Sequence, residues 1–284
     1  MTWLQALISG IIQGLTEFLP VSSSGHLVIF NALFGAGEGG DLAFTVFLHL
    51  ATLLAVVICF RKDIWALLRE FFAALWDLLR GKPSFKAPER RFLVMVVIAT
   101  IPAVLAGVLI KKLKLDHLLE NIFVVAAMLL LTAAFMFAVD RLKGMYTEKD
   151  APYRVSLLTG CLQAVAILPG LSRSGSTIFG GVLGGFKKEF AVKFAFILSI
   201  PAILGAALLE GLDILKEGQF VFDPVGWFIG FAAAAACGVL AIKFIKALIK
   251  NNKFWVFGIY CLAASAIAFL IGFGIIRVPE IMFT

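Results

Sequence analysis

Glu17 is the acidic residue of this chain that does not fit its surroundings. The sequence holds 18 Asp and Glu residues, nearly all in polar loops or at the ends of apolar runs, but Glu17 lies deep inside one. An ionisable group there costs about 2.5–3.5 kcal/mol on insertion scales unless it is paired or hydrated. Gln13 precedes it by four residues and shares its helical face. A carboxylate in that position suits a metal ligand or a proton acceptor, the alternative being a structural partner for the adjacent loop. That loop reads Pro20-Val21-Ser22-Ser23-Ser24-Gly25-His26. His26 follows three serines, and imidazole transfers protons near neutral pH.

Arg173 is the basic counterpart, the one Lys or Arg placed at membrane depth, within Pro169-Gly170-Leu171-Ser172-Arg173-Ser174-Gly175-Ser176-Thr177. Burying a guanidinium demands an anionic partner. Its planar fork of five donors matches phosphate oxygens. Gly170 and Gly175 permit unusual backbone angles. The hydroxyls and free N–H groups at the following helix start add an anion-binding nest. An internal Arg173–Glu17 ion pair without ligand is the plainer alternative, and a resting site can hold both readings. The other two histidines carry less. His49 sits inside an apolar span and is read as packing; His117 is read as a solvated loop residue.

The two segments resemble the two signatures of the undecaprenyl-diphosphatase family of the bacitracin-resistance type. The first runs from Gln13 to His26, and the second has the pattern Pro-Gly-x-Ser-Arg-Ser-x-x-Thr from Pro169 to Thr177. The likeness extends over the whole chain in length and segment order. It implies a hydrolase that converts undecaprenyl diphosphate to the monophosphate and inorganic phosphate. That reaction recycles the lipid carrier of cell-wall synthesis and protects against bacitracin. The resemblance also implies a site open to the outer face and a divalent cation. The family carries Glu or Gln at the first motif position and this chain has Gln13, so Glu17 is the certain carboxylate.

On that resemblance Arg173, with Gly170, Ser172, Ser174 and Thr177, is expected to hold the diphosphate. Glu17 and Gln13 are expected to bind Mg²⁺ or Ca²⁺ through oxygen. His26 would act as general acid or base, and Ser23 either as nucleophile or as the group that orients an attacking water. The expected partners are the polyprenyl diphosphate and membrane lipids, with a homodimer admitted and no nucleic acid.

The elements that must position these groups follow from composition. The 284-residue chain is 61% hydrophobic and 15% charged, against roughly 25% charged in soluble domains. Its mean hydropathy is +1.01. The expected class is an all-α polytopic membrane protein forming a single integral domain. Six runs, near 42–60, 91–110, 119–139, 190–210, 225–247 and 254–276, are each about the 20 residues that cross the bilayer. Two further stretches, 3–34 and 153–186, are interrupted by the motifs. Their pieces 26–34 and 176–186 reach only about 14–17 Å at 1.5 Å per residue. Pro and Gly end the preceding helix and the serines can cap the next. Each stretch therefore reads as a re-entrant helical hairpin, although 3–19 is long enough that a true span stays open.

Gly10, Gln13, Ser22, Ser24 and Gly25 match Gly160, Gln163, Ser172, Ser174 and Gly175 at an offset of 150. Two repeat halves, about 1–140 and 151–284, follow. Each holds one hairpin and three spans; three is odd, so the second half enters from the opposite side. This inverted-topology repeat brings the tips 20–26 and 169–177 together near the midplane.

With the N-terminus outside, the inner loops 61–91, 140–154, 183–193 and 243–253 hold 19 of the 25 Lys and Arg residues. That bias supports an inner-membrane protein with both ends outside. The cluster Lys111, Lys112 and Lys114 is the violation. Met1 to Pro20 carries no Lys or Arg, so a cleavable leader is not expected. The cysteines Cys59, Cys161, Cys237 and Cys261 lie in apolar runs without a C-x-x-C spacing and read as buried apolar residues. A secondary transporter or lipid flippase is the rival function, because inverted repeats and paired broken helices serve transport as well.

Overall fold

The computed structural model describes residues 2–34, 42–81, 87–113, 121–217, 223–249 and 252–276. His117 and the basic residues Lys82, Lys86, Lys114, Lys250 and Arg277 used in the charge count lie outside them. Among the described residues the regular elements are ten helices, with one isolated bridge between Tyr146 and Phe186. In chain order they are α1 Trp3–Phe18, α2 Ser23–Phe34, α3 Leu42–Leu79, α4 Pro88–Leu113, α5 Ile122–Arg141, α6 Tyr153–Val165, α7 Arg173–Leu183, α8 Lys188–Glu217, α9 Pro224–Ile249 and α10 Trp255–Gly272. Six of these, α3, α4, α5, α8, α9 and α10, are long and apolar enough to cross a membrane. The chain is an all-α, multi-pass membrane protein.

The expected loop 61–91 is a correction. Helix α3 has 38 residues, about 57 Å at 1.5 Å per residue, and so outruns the bilayer. It bends at Phe60 (φ −121°, ψ 22°) and continues as helix to Leu79. The run from Arg61 to Leu79 carries neither Pro nor Gly, so nothing in the backbone stops it. The cysteines need correcting too. Cys261 is buried, but Cys59 and Cys237 are only partly so and Cys161 is exposed; all four are free. A membrane helix turns apolar side chains to lipid as readily as to protein, so an apolar neighbourhood does not imply burial.

The four motif helices are short. Helices α1, α2, α6 and α7 have 16, 12, 13 and 11 residues, about 17–24 Å each, all below the ~30 Å hydrocarbon thickness. Helix α1 packs along α9 and α6 along α4. Both contacts depend on a small residue at the same motif position. A Cβ on Gly10 would come within 2.3 Å of the Gly230 carbonyl oxygen, and one on Gly160 within 2.3 Å of that of Ala99. Phe18, fully buried, packs edge-on against Phe196 with ring centroids 5.6 Å apart, which fixes the end of α1 next to Glu17.

Charged pairs join the ends of the other long helices to one another and to the extension of α3 beyond Phe60. Arg90 binds Glu70 and Asp77, Lys193 binds Asp63 and Glu148, and Asp140 accepts from the backbone N–H groups of Phe254 and Trp255. Lys111, one of the residues that violate the charge bias, is paired with Asp213 of α8. Pairing gives a physical reason why that basic residue is tolerated at its end of the bundle.

Candidate active site

The irregular segments between α1 and α2 and between α6 and α7 meet. The Gly170 N–H donates to Ser24 Oγ (3.4 Å) and Ser174 Oγ donates to the Leu19 carbonyl (3.1 Å). Both tips are built by the same local bonds. Ser22 Oγ accepts from the Gly25 N–H (3.2 Å) and lies 3.3 Å from Ser24 Oγ. At the offset of 150, Ser172 Oγ accepts from the Gly175 N–H (3.1 Å) and lies 3.1 Å from Ser174 Oγ. Ser172 is thereby the N-cap of α7, the role short hydroxyl side chains perform at a helix start.

The tips differ where it matters chemically. Ser22 has φ +73°, a left-handed conformation that costs a non-glycine residue about 1–3 kcal/mol. It turns the Ser22 carbonyl to accept from both the backbone N–H (3.2 Å) and Nδ1 (2.7 Å) of His26. In the second tip Gly170 holds the positive angle, φ +88°, and a Cβ there would sit 2.4 Å from the Val125 carbonyl oxygen. Thr132 of α5 secures this loop: its hydroxyl accepts from the Ser172 N–H (3.0 Å) and lies 3.2 Å from the Gly170 carbonyl.

Glu17 is the hub, with 6% of its surface exposed. Its Oε2 accepts from Gln13 Nε2 (2.9 Å) and from Ser23 Oγ (2.8 Å), and its Oε1 accepts from the Arg173 guanidinium. Of the expected site residues, Glu17, Gln13, Ser23 and Arg173 therefore share one cluster. The Glu17–Arg173 pair joins the two halves of the chain. Arg173 commits one terminal nitrogen to Glu17 and keeps its side chain 19% exposed.

The remaining expected residues do other work. The Thr177 hydroxyl donates back into its own helix, to the carbonyls of Arg173 and Ser174. Ser172 and Ser174 shape the tip. His26 holds the Ser22 carbonyl through Nδ1 and meets the Tyr260 hydroxyl at Nε2 (2.8 Å), with the two rings stacked 5.4 Å apart. A carbonyl only accepts, so Nδ1 carries the proton and, in the neutral ring, Nε2 accepts from Tyr260. The imidazole beside Glu17 is instead that of His49, whose Nε2 lies 3.8 Å from Oε2. The reading of His49 as packing is thus corrected. Thr45, His49 and Thr52 fall three or four residues apart in the otherwise apolar run 42–60 of α3, a polar stripe that signals a face turned toward other polar groups. Nothing comparable marks Tyr260.

Among the described residues no three His, Cys, Asp or Glu side chains gather as a metal cluster. The oxygens of Glu17 and Gln13 still fit a hard cation that keeps water and substrate oxygens as further ligands. Gln13 is fully buried and its Oε1 has no hydrogen-bond partner, an orphan acceptor beside a carboxylate.

Residues 6–267 match the family described as bacitracin resistance protein BacA. The chain is 42% identical to the undecaprenyl-diphosphatase of Methanobrevibacter smithii over 275 residues, 95% of this chain and 98% of that protein. It is 37% identical to that of Methanosphaera stadtmanae over 276 residues (94% and 97%) and 38% identical to that of Bacteroides fragilis over 279 residues (95% and 98%). A cluster that joins both broken-helix tips and a match along nearly the whole length agree, and the chain belongs to the bacitracin resistance protein BacA family.

Proposed function

We propose that this protein hydrolyses undecaprenyl diphosphate to undecaprenyl phosphate and inorganic phosphate, returning the lipid carrier to cell-wall synthesis and conferring bacitracin resistance. The observation that carries the reading is the junction of Glu17, Ser23 and Arg173 across the two tips. Phosphoryl transfer needs an aligned nucleophile and neutralised charge more than elaborate covalent chemistry, and this cluster supplies both.

The incoming diphosphate competes with Glu17 for Arg173. As the guanidinium fork turns to the phosphate oxygens, Glu17 Oε1 is released. Ser23 stays anchored through its hydroxyl hydrogen on Oε2, so its lone pairs face away from the carboxylate. Ser23 in this geometry serves as the nucleophile: its Oγ bonds to the terminal phosphorus as the bond to the bridging oxygen breaks, undecaprenyl phosphate leaves, Glu17 Oε2 takes the hydroxyl proton, and water then hydrolyses the phosphoserine to release inorganic phosphate and restore Ser23. His26, which follows the three serines of the first tip and is held by Ser22 and Tyr260, is assigned as the general acid or base near neutral pH. Glu17 and Gln13 would hold Mg²⁺ or Ca²⁺, which when bound supplies positive charge against the phosphate oxygens. The polyprenyl tail lies along the apolar outer surfaces of the helices. The charge bias supports both chain ends on the outer side of the cytoplasmic membrane, and the family resemblance supports a site that opens to that side, with the two halves inserted in opposite senses.

Purified protein in detergent should release inorganic phosphate from undecaprenyl diphosphate, and the release should require Arg173. In liposomes, movement of the lipid between leaflets without phosphate release would select transport and defeat the hydrolase reading.

A further inference from the structure

His49 belongs to neither motif, yet its ring is the one that faces the hub. Its Nδ1 lies 2.9 Å from the Thr45 carbonyl oxygen, an acceptor only, so Nδ1 carries the proton. In the neutral ring Nε2 then presents a lone pair, and that atom is 3.8 Å from Glu17 Oε2. A lone pair 3.8 Å from a carboxylate oxygen is an unfavourable contact unless positive charge, a ring proton or a bound cation, lies between them. Metal-binding histidines show the same arrangement, one nitrogen fixed by a backbone carbonyl and the other free for the ion. Two ligands at about 2.1 Å from one cation stand roughly 3–4.2 Å apart, a range that includes the observed separation.

Gln13 completes the picture. Its Nε2 donates to Glu17 Oε2 while its buried Oε1 has no partner. The two ends of an amide are nearly isosteric, and turning this one over breaks only the bond to Glu17. The turn sets an amide oxygen beside Oε2, where a cation replaces the lost N–H. The His49 side chain is 32% exposed, which leaves room for water or phosphate ligands.

We infer that His49 Nε2 is a direct ligand of the divalent cation, together with Glu17 Oε2 and the Gln13 amide oxygen. The inference rests on the proposed reading that a cation binds at Glu17. It assigns the site a mixed nitrogen and oxygen donor set, which favours Mn²⁺ over Mg²⁺ and Ca²⁺ more than oxygen donors alone do.

The test uses Mn²⁺ alone as probe, on the full chain in detergent without lipid substrate. Pulsed electron paramagnetic resonance of bound Mn²⁺ should show ¹⁴N coupling from a coordinated imidazole. The coupling should vanish in His49→Gln and persist in His26→Gln, and His49→Gln should weaken Mn²⁺ binding at least about 10-fold, and Mg²⁺ binding less. If His49→Gln fails to fold, the wild-type and His26→Gln spectra decide together: coupling in both supports His49, and coupling lost in His26→Gln overturns it. Mn²⁺ that binds without ¹⁴N coupling, yet is lost in Glu17→Gln, overturns the assignment of His49 and leaves the cation at Glu17. Coupling that survives in His49→Gln also overturns it. Mn²⁺ uptake insensitive to both Glu17→Gln and His49→Gln, or no uptake at all, removes the cation reading with it.

Discussion

Replacing Arg173 by Lys keeps the charge and removes the fork. In the resting site one guanidinium nitrogen holds Glu17 Oε1, a contact that a lysine ammonium can also make, so the buried pair persists in the variant. What disappears is the pair of parallel donors needed to grip the diphosphate. Losing one hydrogen bond to a charged group costs about 1.5–3 kcal/mol. At 1.36 kcal/mol per decade that is a fall of about 10- to 150-fold in kcat/KM. Phosphate release from undecaprenyl diphosphate in detergent measures it, and a thermal melt run in parallel shows whether the fold survives. The expected result is a well-folded protein with the activity loss in that range. Turnover within about 3-fold of wild type, in a variant that melts like wild type, would mean that Arg173 acts only through its net charge and that the fork is irrelevant.

His26→Gln retains a side chain able to hydrogen-bond Tyr260 but not to shuttle a proton, and it should lower the rate by about 10²–10⁴. Full activity with an unchanged pH profile would make His26 a structural residue. Glu17→Met alone and Arg173→Met alone should each destabilise the protein by about 3–5 kcal/mol, because each strands a buried charge. The double variant, dead as an enzyme, should recover most of that loss in thermal or denaturant unfolding. Equal destabilisation in all three would show that the pair does not hold the two tips together.

Much of this architecture is written in short-range patterns. Twenty-residue apolar runs locate the six long helices because a bilayer sets one length for all of them. The two tips show themselves because Pro20, Pro169 and the serines interrupt otherwise apolar stretches, and no backbone in lipid breaks without cover. The offset of 150 makes Ser22 and Ser172 equivalents, and their matching bonds to Gly25 and Gly175 follow from the shared Ser-x-Ser-Gly pattern. The helical extension beyond Phe60 was missed because its charged residues resemble a loop when only hydropathy is weighed.

Contacts between distant segments are a different matter. His49 is 32 residues from Glu17 and separated from it by a whole helix, so only the three-dimensional packing of α3 against the end of α1 reveals their proximity. Tyr260 is further still, and no spacing rule could connect it to His26. The misreading of His49 has one cause: a lone histidine in an apolar run says that it needs a partner but not which one. The Arg173–Glu17 pair was foreseeable for the opposite reason. A bilayer holds so few charges that a buried Arg and a buried Glu in one small protein have little else to bind. The same scarcity argues that the pair is built to be exchanged. Each charge is supplied by a different half of the chain, and a phosphate that enters between them takes Arg173's partner role from Glu17. The site therefore stays neutralised when empty, and Glu17 Oε1 is freed from Arg173 only when an anion arrives.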